Sequence, residues 1–309
     1  MLRPRLFVLR CVLALSAIGG TSNALAAEVP LNLLFFGNSF SQGGGTQVVP
    51  NKVGQLAAAD GHAAPNIIAD LLGGADLDYH IGQVANFPAN NVNHASISGK
   101  TWNFVIQQGY STEATHMGAP GGPVGPADFI GDALTLHNAV KNHASGRGAG
   151  VRSVLYQTWA RSPNHSYYPT EFANPAAMQQ EVRTNYRIAA DGINDSAGPG
   201  SARIATVGDA FEAMDFSDGL LYGSDDYHAS SSGYLLASMV LYRTIYSEDV
   251  TDISWSSASG WANVSQSTWN QLAAVADALP LASVPEPTSI ALIAMGAAAA
   301  LTRRTKRCG

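Results

Sequence analysis

The strongest constraint on this chain is a set of five short apolar runs, each too short for an ordinary helix and each followed by a segment long enough for one. The first, Leu31 to Phe36, is closed by Gly37 and has the continuous apolar character of a strand buried on both faces. Similar runs follow at Asn66 to Leu72, Phe104 to Gln107, Val151 to Tyr156 and Arg203 to Val207. Between and after them, helices are expected at Asp128 to Asn142, after Asn174, and at Ser232 to Tyr246. The helix after Asn174 has a capping side chain, Pro175 in its first turn, and Met178, Val182, Ala189 and Ile193 at helical spacing. Gly118 to Pro126 and Ser162 to Ala173 read as loops, and residues 252 to 280, with Trp255, Trp261 and Trp269, as a closing helix. Alternating strand and helix predict an α/β fold: a doubly wound parallel sheet with right-handed crossovers and helices on both faces.

With 309 residues, 46% hydrophobic and 13% charged, the chain can bury one sizeable core, and residues 28–280 contain no linker long enough to divide it. The ends differ from this body. Arg3, Arg5 and Arg10, the apolar run Cys11 to Ile18 and Ala24-Leu25-Ala26 follow the order of a secretory signal peptide over residues 1–26, removed by signal peptidase. At the other end, Val284-Pro285-Glu286-Pro287 leads into an apolar stretch, Ile290 to Leu301, and a basic tail from Arg303 to Arg307. That stretch is shorter than the roughly 20 residues that cross a bilayer comfortably. It can enter a membrane, transiently or stably.

Seven of the 17 basic residues lie in these ends, which leaves 10 against at most 23 acidic ones and a net charge of about −13 for the body. Such a body repels nucleic acid, so nucleic-acid binding is excluded as a function class. The two cysteines, Cys11 and Cys308, are also terminal, so the body has neither a disulfide framework nor a cysteine metal site. The histidine spacings form no metal motif.

In an open parallel sheet, ligands bind beyond the carboxyl ends of the strands. Those ends deliver Gly37-Asn38-Ser39-Phe40-Ser41, Gly73-Gly74, Gln107-Gln108-Gly109 and Thr158-Trp159. A serine in a tight turn after a strand is exposed and has a backbone N–H beside it, as a nucleophile requires. Ser39 fits this position, with Ser41 as competitor and helix capping as the commoner job of such a serine. Asp225-Asp226-Tyr227-His228 precedes the last long helix, and an aspartate three residues before a histidine can curl back to hold its ring N–H. His62, His80, His94, His116, His137, His143 and His165 lack such a partner in sequence and read as surface or loop residues.

These residues resemble the SGNH hydrolases, also called the GDSL esterase and lipase superfamily, over most of residues 30–247. Gly37-Asn38-Ser39 is similar to the first block with Asn in place of Asp, and Asp225-x-x-His228 to the last. The resemblance implies ester hydrolysis by Ser39, His228 and Asp225 with no metal or organic cofactor. It implies an oxyanion hole formed by the Ser39 and Gly74 backbone N–H groups and a third donor. The third block departs from the family's Gly-x-Asn-Asp, and Gln108 is the candidate for its donor.

Residues 284–309 resemble the PEP-CTERM sorting signal of Gram-negative bacteria. This implies processing by an exosortase and a place at the cell surface or in the extracellular matrix, among polysaccharides. The expected substrate is an ester, with acetylated extracellular glycan preferred, and Trp159, Tyr167 and Tyr168 are candidates for stacking on sugar rings. Two alternatives stand beside this: a non-catalytic matrix or carbohydrate-binding protein on the same fold, and a lipase.

Overall fold

The computed structural model describes residues 28–43, 48–86 and 92–281. The expected leader and sorting signal, with its apolar stretch, lie outside the described residues. Among the latter, no helix is long and apolar enough to cross a membrane.

Five parallel strands, β1 (Asn32–Gly37), β2 (Asn66–Leu71), β3 (Phe104–Gln107), β4 (Arg152–Tyr156) and β5 (Ala202–Ala205), form one sheet in the order β2-β1-β3-β4-β5. Ten helices accompany them among the described residues: α1 (Ser39–Gln42), α2 (Val48–Ala59), α3 (Leu77–Asn86), α4 (Ala127–Lys141), α5 (Pro175–Ala197), α6 (Val207–Ala213), α7 (Asp218–Leu221), α8 (Ser231–Tyr246), α9 (Trp255–Ala262) and α10 (Gln266–Ala278). Each residue of β1 is buried, and the side chains of its apolar stretch, Leu33 to Phe36, alternate between two cores. Leu33 and Phe35 join the core made with α2, α8 and α10, whereas Leu34 and Phe36 join the one made with α3, α4 and α5. The sheet is therefore doubly wound.

The strand order reverses direction between β1 and β3, and at such a point open α/β sheets bind ligands beyond the carboxyl ends of the strands. Ser39 and Gln108 both emerge there.

Most local expectations hold within a residue or two; the Asn174 side chain, for example, caps α5 by accepting from Ala177 N–H at 2.9 Å. Two are corrected. The fifth strand ends at Ala205, and Val207 instead opens α6, where Gly208 packs so closely on the Thr158 carbonyl that a Cβ would lie 2.3 Å from its oxygen. The closing segment is two helices rather than one, because Asn263 ends α9 in a left-handed conformation (φ 56°) and Ser265 caps α10. Trp269 is buried between them, with the rings of Trp255 and Trp261 each 6.0 Å away.

Candidate active site

The turn after β1 is built by Asn38. Its side chain accepts from Phe40 N–H at 3.1 Å and so caps α1, placing Ser39 at the first helical position. Its amide group donates to two carbonyls, Ala75 at 2.8 Å and Gly109 at 3.2 Å, which ties the turn that carries Ser39 to the turns after β2 and β3. Gln108 completes the knot. It accepts from Asn38 N–H at 2.9 Å and donates to Asn38 Oδ1 at 2.8 Å. Asn38 is 2% exposed and Gln108 fully buried, so each of these groups depends on a protein partner. A Cβ on Gly37 would stand 2.8 Å from Gln108 Oε1 and 2.9 Å from Ser41 Oγ, so any larger residue there would push on these side chains.

This arrangement explains Asn38 and Gln108 together. An aspartate at position 38 would set a carboxylate against the Ala75 and Gly109 carbonyls, whereas asparagine offers them N–H groups. Gln108 is the matching partner. It also corrects the assignment of Gln108 as an oxyanion donor: its amide N–H groups already have acceptors in Asn38 Oδ1 and the Gly109 carbonyl.

Ser39 is half-buried, and its Oγ lies 2.8 Å from His228 Nε2. His228 Nδ1 lies 2.6 Å from Asp225 Oδ2, while the other carboxylate oxygen accepts from the His228 and Tyr227 backbone N–H groups at 2.9 and 3.2 Å. Burial alone would raise the Asp225 pKa, but hydrogen bonds from the His228 ring, His228 N–H and Tyr227 N–H outweigh it and hold it below the usual carboxylate range. Asp225 is thus kept as an anion facing the ring nitrogen. The three side chains form a continuous chain of hydrogen bonds from carboxylate to hydroxyl. Ser41, by contrast, is 1% exposed and donates to Gln108 Oε1 at 3.0 Å, so it belongs to the structural knot.

Gly74 stands exposed in the left-handed region (φ 79°), with open space where a Cβ would be. Its N–H has no acceptor among the described residues. Trp159 is not the surface platform expected for a sugar. It is fully buried, stacked on Phe40 at 4.1 Å and Phe211 at 4.7 Å, and its indole N–H donates to the Tyr227 carbonyl at 3.1 Å. Tyr167 and Tyr168 are half-buried.

Two histidines read as surface or loop residues are in fact fully buried. His80 donates from Nε2 to the Gly37 carbonyl at 3.0 Å, two residues before Ser39. His137 meets Ser153 Oγ at 2.9 Å, and burial drops its pKa to about 4. Their partners are residues on other elements, so no local sequence signal marks them. His62 and His116 also have carboxylate partners distant in sequence.

Beside the Gly74 turn, Asp76, Asp78, Glu113, Asp128 and Asp132 line an acidic cavity of about 360 Å³. Burial pushes the Glu113 carboxyl up to about 8.

Residues 283–307 match the model of the PEP-CTERM protein-sorting motif. No protein of curated function matches the chain. Among solved structures, a DUF4886 family protein from Bacteroides uniformis is similar, with a TM-score of 0.56 and 17% identity over 80% of this chain and 93% of that one. A protein from Slackia heliotrinireducens described as an SGNH hydrolase gives 0.52 and 22% over 70% and 98% of the two chains. One from Parabacteroides merdae described as a GDSL-like lipase gives 0.52 and 14% over 72% and 98%. At such identities the likeness establishes architecture rather than activity. The chain therefore has the α/β fold of the SGNH and GDSL hydrolases and ends in a PEP-CTERM motif that marks it for export and surface or extracellular targeting.

Proposed function

We propose that this protein is an exported serine esterase, with Ser39 as nucleophile, His228 as base and Asp225 as the group that orients the base. The observation that carries this reading is the unbroken chain Asp225 Oδ2, His228 Nδ1, His228 Nε2, Ser39 Oγ, with steps of 2.6 and 2.8 Å. Nε2 takes the hydroxyl proton as Oγ attacks an ester carbonyl, and the resulting imidazolium is stabilised by Asp225. The oxyanion is held by the N–H groups of Ser39, which starts a helix and so has no intrahelical acceptor, and of Gly74. His228 returns the proton to the departing alcohol. Water, activated the same way, then releases the acid and restores Ser39.

Residues 28–280 form the hydrolytic body in this reading, residues 1–26 are removed on export and residues 284–309 are trimmed by an exosortase. The sorting motif supports a substrate met outside the cell, and we assign removal of acetyl groups from extracellular polysaccharide. Neither a metal nor an organic cofactor enters the steps.

A second reading, glycan binding without turnover, draws on one observation: Gln108 uses its amide inside the turn, which reduces the oxyanion donors to backbone groups. Acetate release from a panel of acetylated glycans and simple aryl esters separates the two. Turnover by the wild type that disappears in Ser39→Ala, with an unchanged melting temperature, is the expected result. Turnover retained in Ser39→Ala overturns the esterase assignment, and glycan binding by an inactive wild type establishes the second reading.

A further inference from the structure

Arg161 is a buried cation that the proposed chemistry does not use. It lies in the segment after β4, 2% exposed, and pairs with no carboxylate among the described residues. Its Nη2 donates to Ser111 Oγ at 2.8 Å, while Nε and Nη1 are buried without an acceptor. What surrounds the guanidinium is aromatic. Its carbon lies 4.4 Å from the ring centroid of Tyr227, 5.6 Å from Tyr167 and 5.8 Å from Phe40.

A cation sealed in this way is costly, and an apolar side chain of similar volume would fill the same space without that cost. The charge therefore has to serve something that packing cannot. Tyr227 leads directly to the site: its ring lies 3.8 Å from that of His228, and Phe40, next to the nucleophile, lies 5.7 Å from both. Attraction between the guanidinium and the tyrosine ring depends on distance and orientation. It therefore fixes where the ring sits.

The loop that carries His228 needs such fixing because it has little regular structure and contains Asp226 in the left-handed region (φ 62°). The segment after β4 already clasps its backbone. Trp159 Nε1 donates to the Tyr227 carbonyl at 3.1 Å, Ser162 N–H to the Asp226 carbonyl at 2.9 Å, and Ser162 Oγ to Asp226 Oδ1 at 2.9 Å. Arg161 is held in turn, its carbonyl accepting from Tyr168 OH at 3.1 Å. None of these contacts sets the Tyr227 ring.

We propose that Arg161 is a positioning residue for His228, acting through the Tyr227 ring, so that the segment Trp159–Ser162 holds the imidazole in line with Ser39. Its effect on rate rests on the esterase reading; its effect on the imidazole does not. In Arg161→Met, kcat for an aryl acetate falls about 10- to 100-fold, as expected when a catalytic group is misplaced by about an ångström. KM stays within about twofold, since substrate contacts are intact. Arg161→Lys keeps the charge and restores most of kcat. Tyr227→Leu reproduces the loss, Tyr227→Phe does not, and the double variant Arg161→Met, Tyr227→Leu is no worse than the poorer single one.

A second measurement is independent of turnover. The far-downfield proton resonance of His228 Nδ1–H, bonded to Asp225, shifts or broadens in Arg161→Met and is recovered in Arg161→Lys. If wild type turns over no ester yet this response is seen, the esterase reading fails and the positioning role stands. Wild-type kcat and resonance in Arg161→Met overturn the role. Should that variant not fold, wild-type kcat and resonance in Tyr227→Leu overturn it equally.

Discussion

His228 and His62 are both paired with carboxylates, and they differ in what the second ring nitrogen meets. His228 gives Nδ1 to Asp225 and Nε2 to the Ser39 hydroxyl. His62 gives Nδ1 to Glu28 and Nε2 to Glu248, each at 2.9 Å, with Asp60 3.9 Å away. A carboxylate on one nitrogen fixes the tautomer and leaves the other nitrogen free to take a proton. Carboxylates on both favour imidazolium, which has no lone pair to offer. Burial lowers the His62 pKa, but the bonds to Glu28 and Glu248 outweigh it and the net shift is upward. The first arrangement has the form of a base; the second is an ion-pair clamp that joins the start of the described chain, at Glu28, to the end of α8.

The largest effect should come from exchanging the two histidines' fates. His228→Ala is expected to lower kcat/KM for an acetyl ester by about 10³-fold or more. His62→Ala should leave it unchanged, and steady-state kinetics on the two proteins checks both. Next comes the turn that presents the hydroxyl. Asn38→Asp removes two buried donors and faces a carboxylate with two carbonyls, a cost of about 2 kcal/mol. Thermal unfolding should record a fall in Tm of roughly 5 °C. Ser41→Ala deletes one buried bond to Gln108, worth about 1 kcal/mol, with esterase activity kept. Equal loss of activity in Ser39→Ala and Ser41→Ala would break the distinction between nucleophile and knot.

The smallest effect belongs to the clamp, whose carboxylates are about half exposed and so screened by solvent. Because the folded pKa of His62 lies above its ordinary 6.5, the stability it adds is full below about 6.5 and is lost as pH rises through the raised value. Glu28 sets the acid edge. Its folded pKa lies below 4.5, chiefly through bonds from the Ala63 N–H and His62, so its share is lost as pH falls through that lowered value. Between these edges, His62→Gln should lower Tm by about 1–2 °C, with the difference shrinking on either side.

Much of the site was legible because its pieces are local. Asp225 and His228 are three residues apart, and the His228 and Tyr227 N–H groups that hold Asp225 are its near neighbours. The Asn174 cap and the five strands are similarly short-range, set by side-chain chemistry and by apolar runs. The partnership of Asn38 with Gln108 was not legible, since it spans 70 residues and each residue alone looks like a departure from a motif. Trp159 misled for a related reason: a tryptophan at a strand end is equally suited to a platform or a core, and only its stacking on Phe40 and Phe211 decides.

The alternation of strands and helices, the sheet edge that carries Ser39, the carboxylate beside His228 and the terminal sorting motif were all written in the order of residues along the chain. Those follow from periodicity and from residues within a few positions of one another. Tertiary structure decided which serine meets His228 across 189 residues, how the turn that carries it is knotted, and which histidines lie buried. The reason is that a hydrogen bond's partner, and a side chain's exposure, are properties of packed surfaces, and packing joins segments whose proximity no local pattern records.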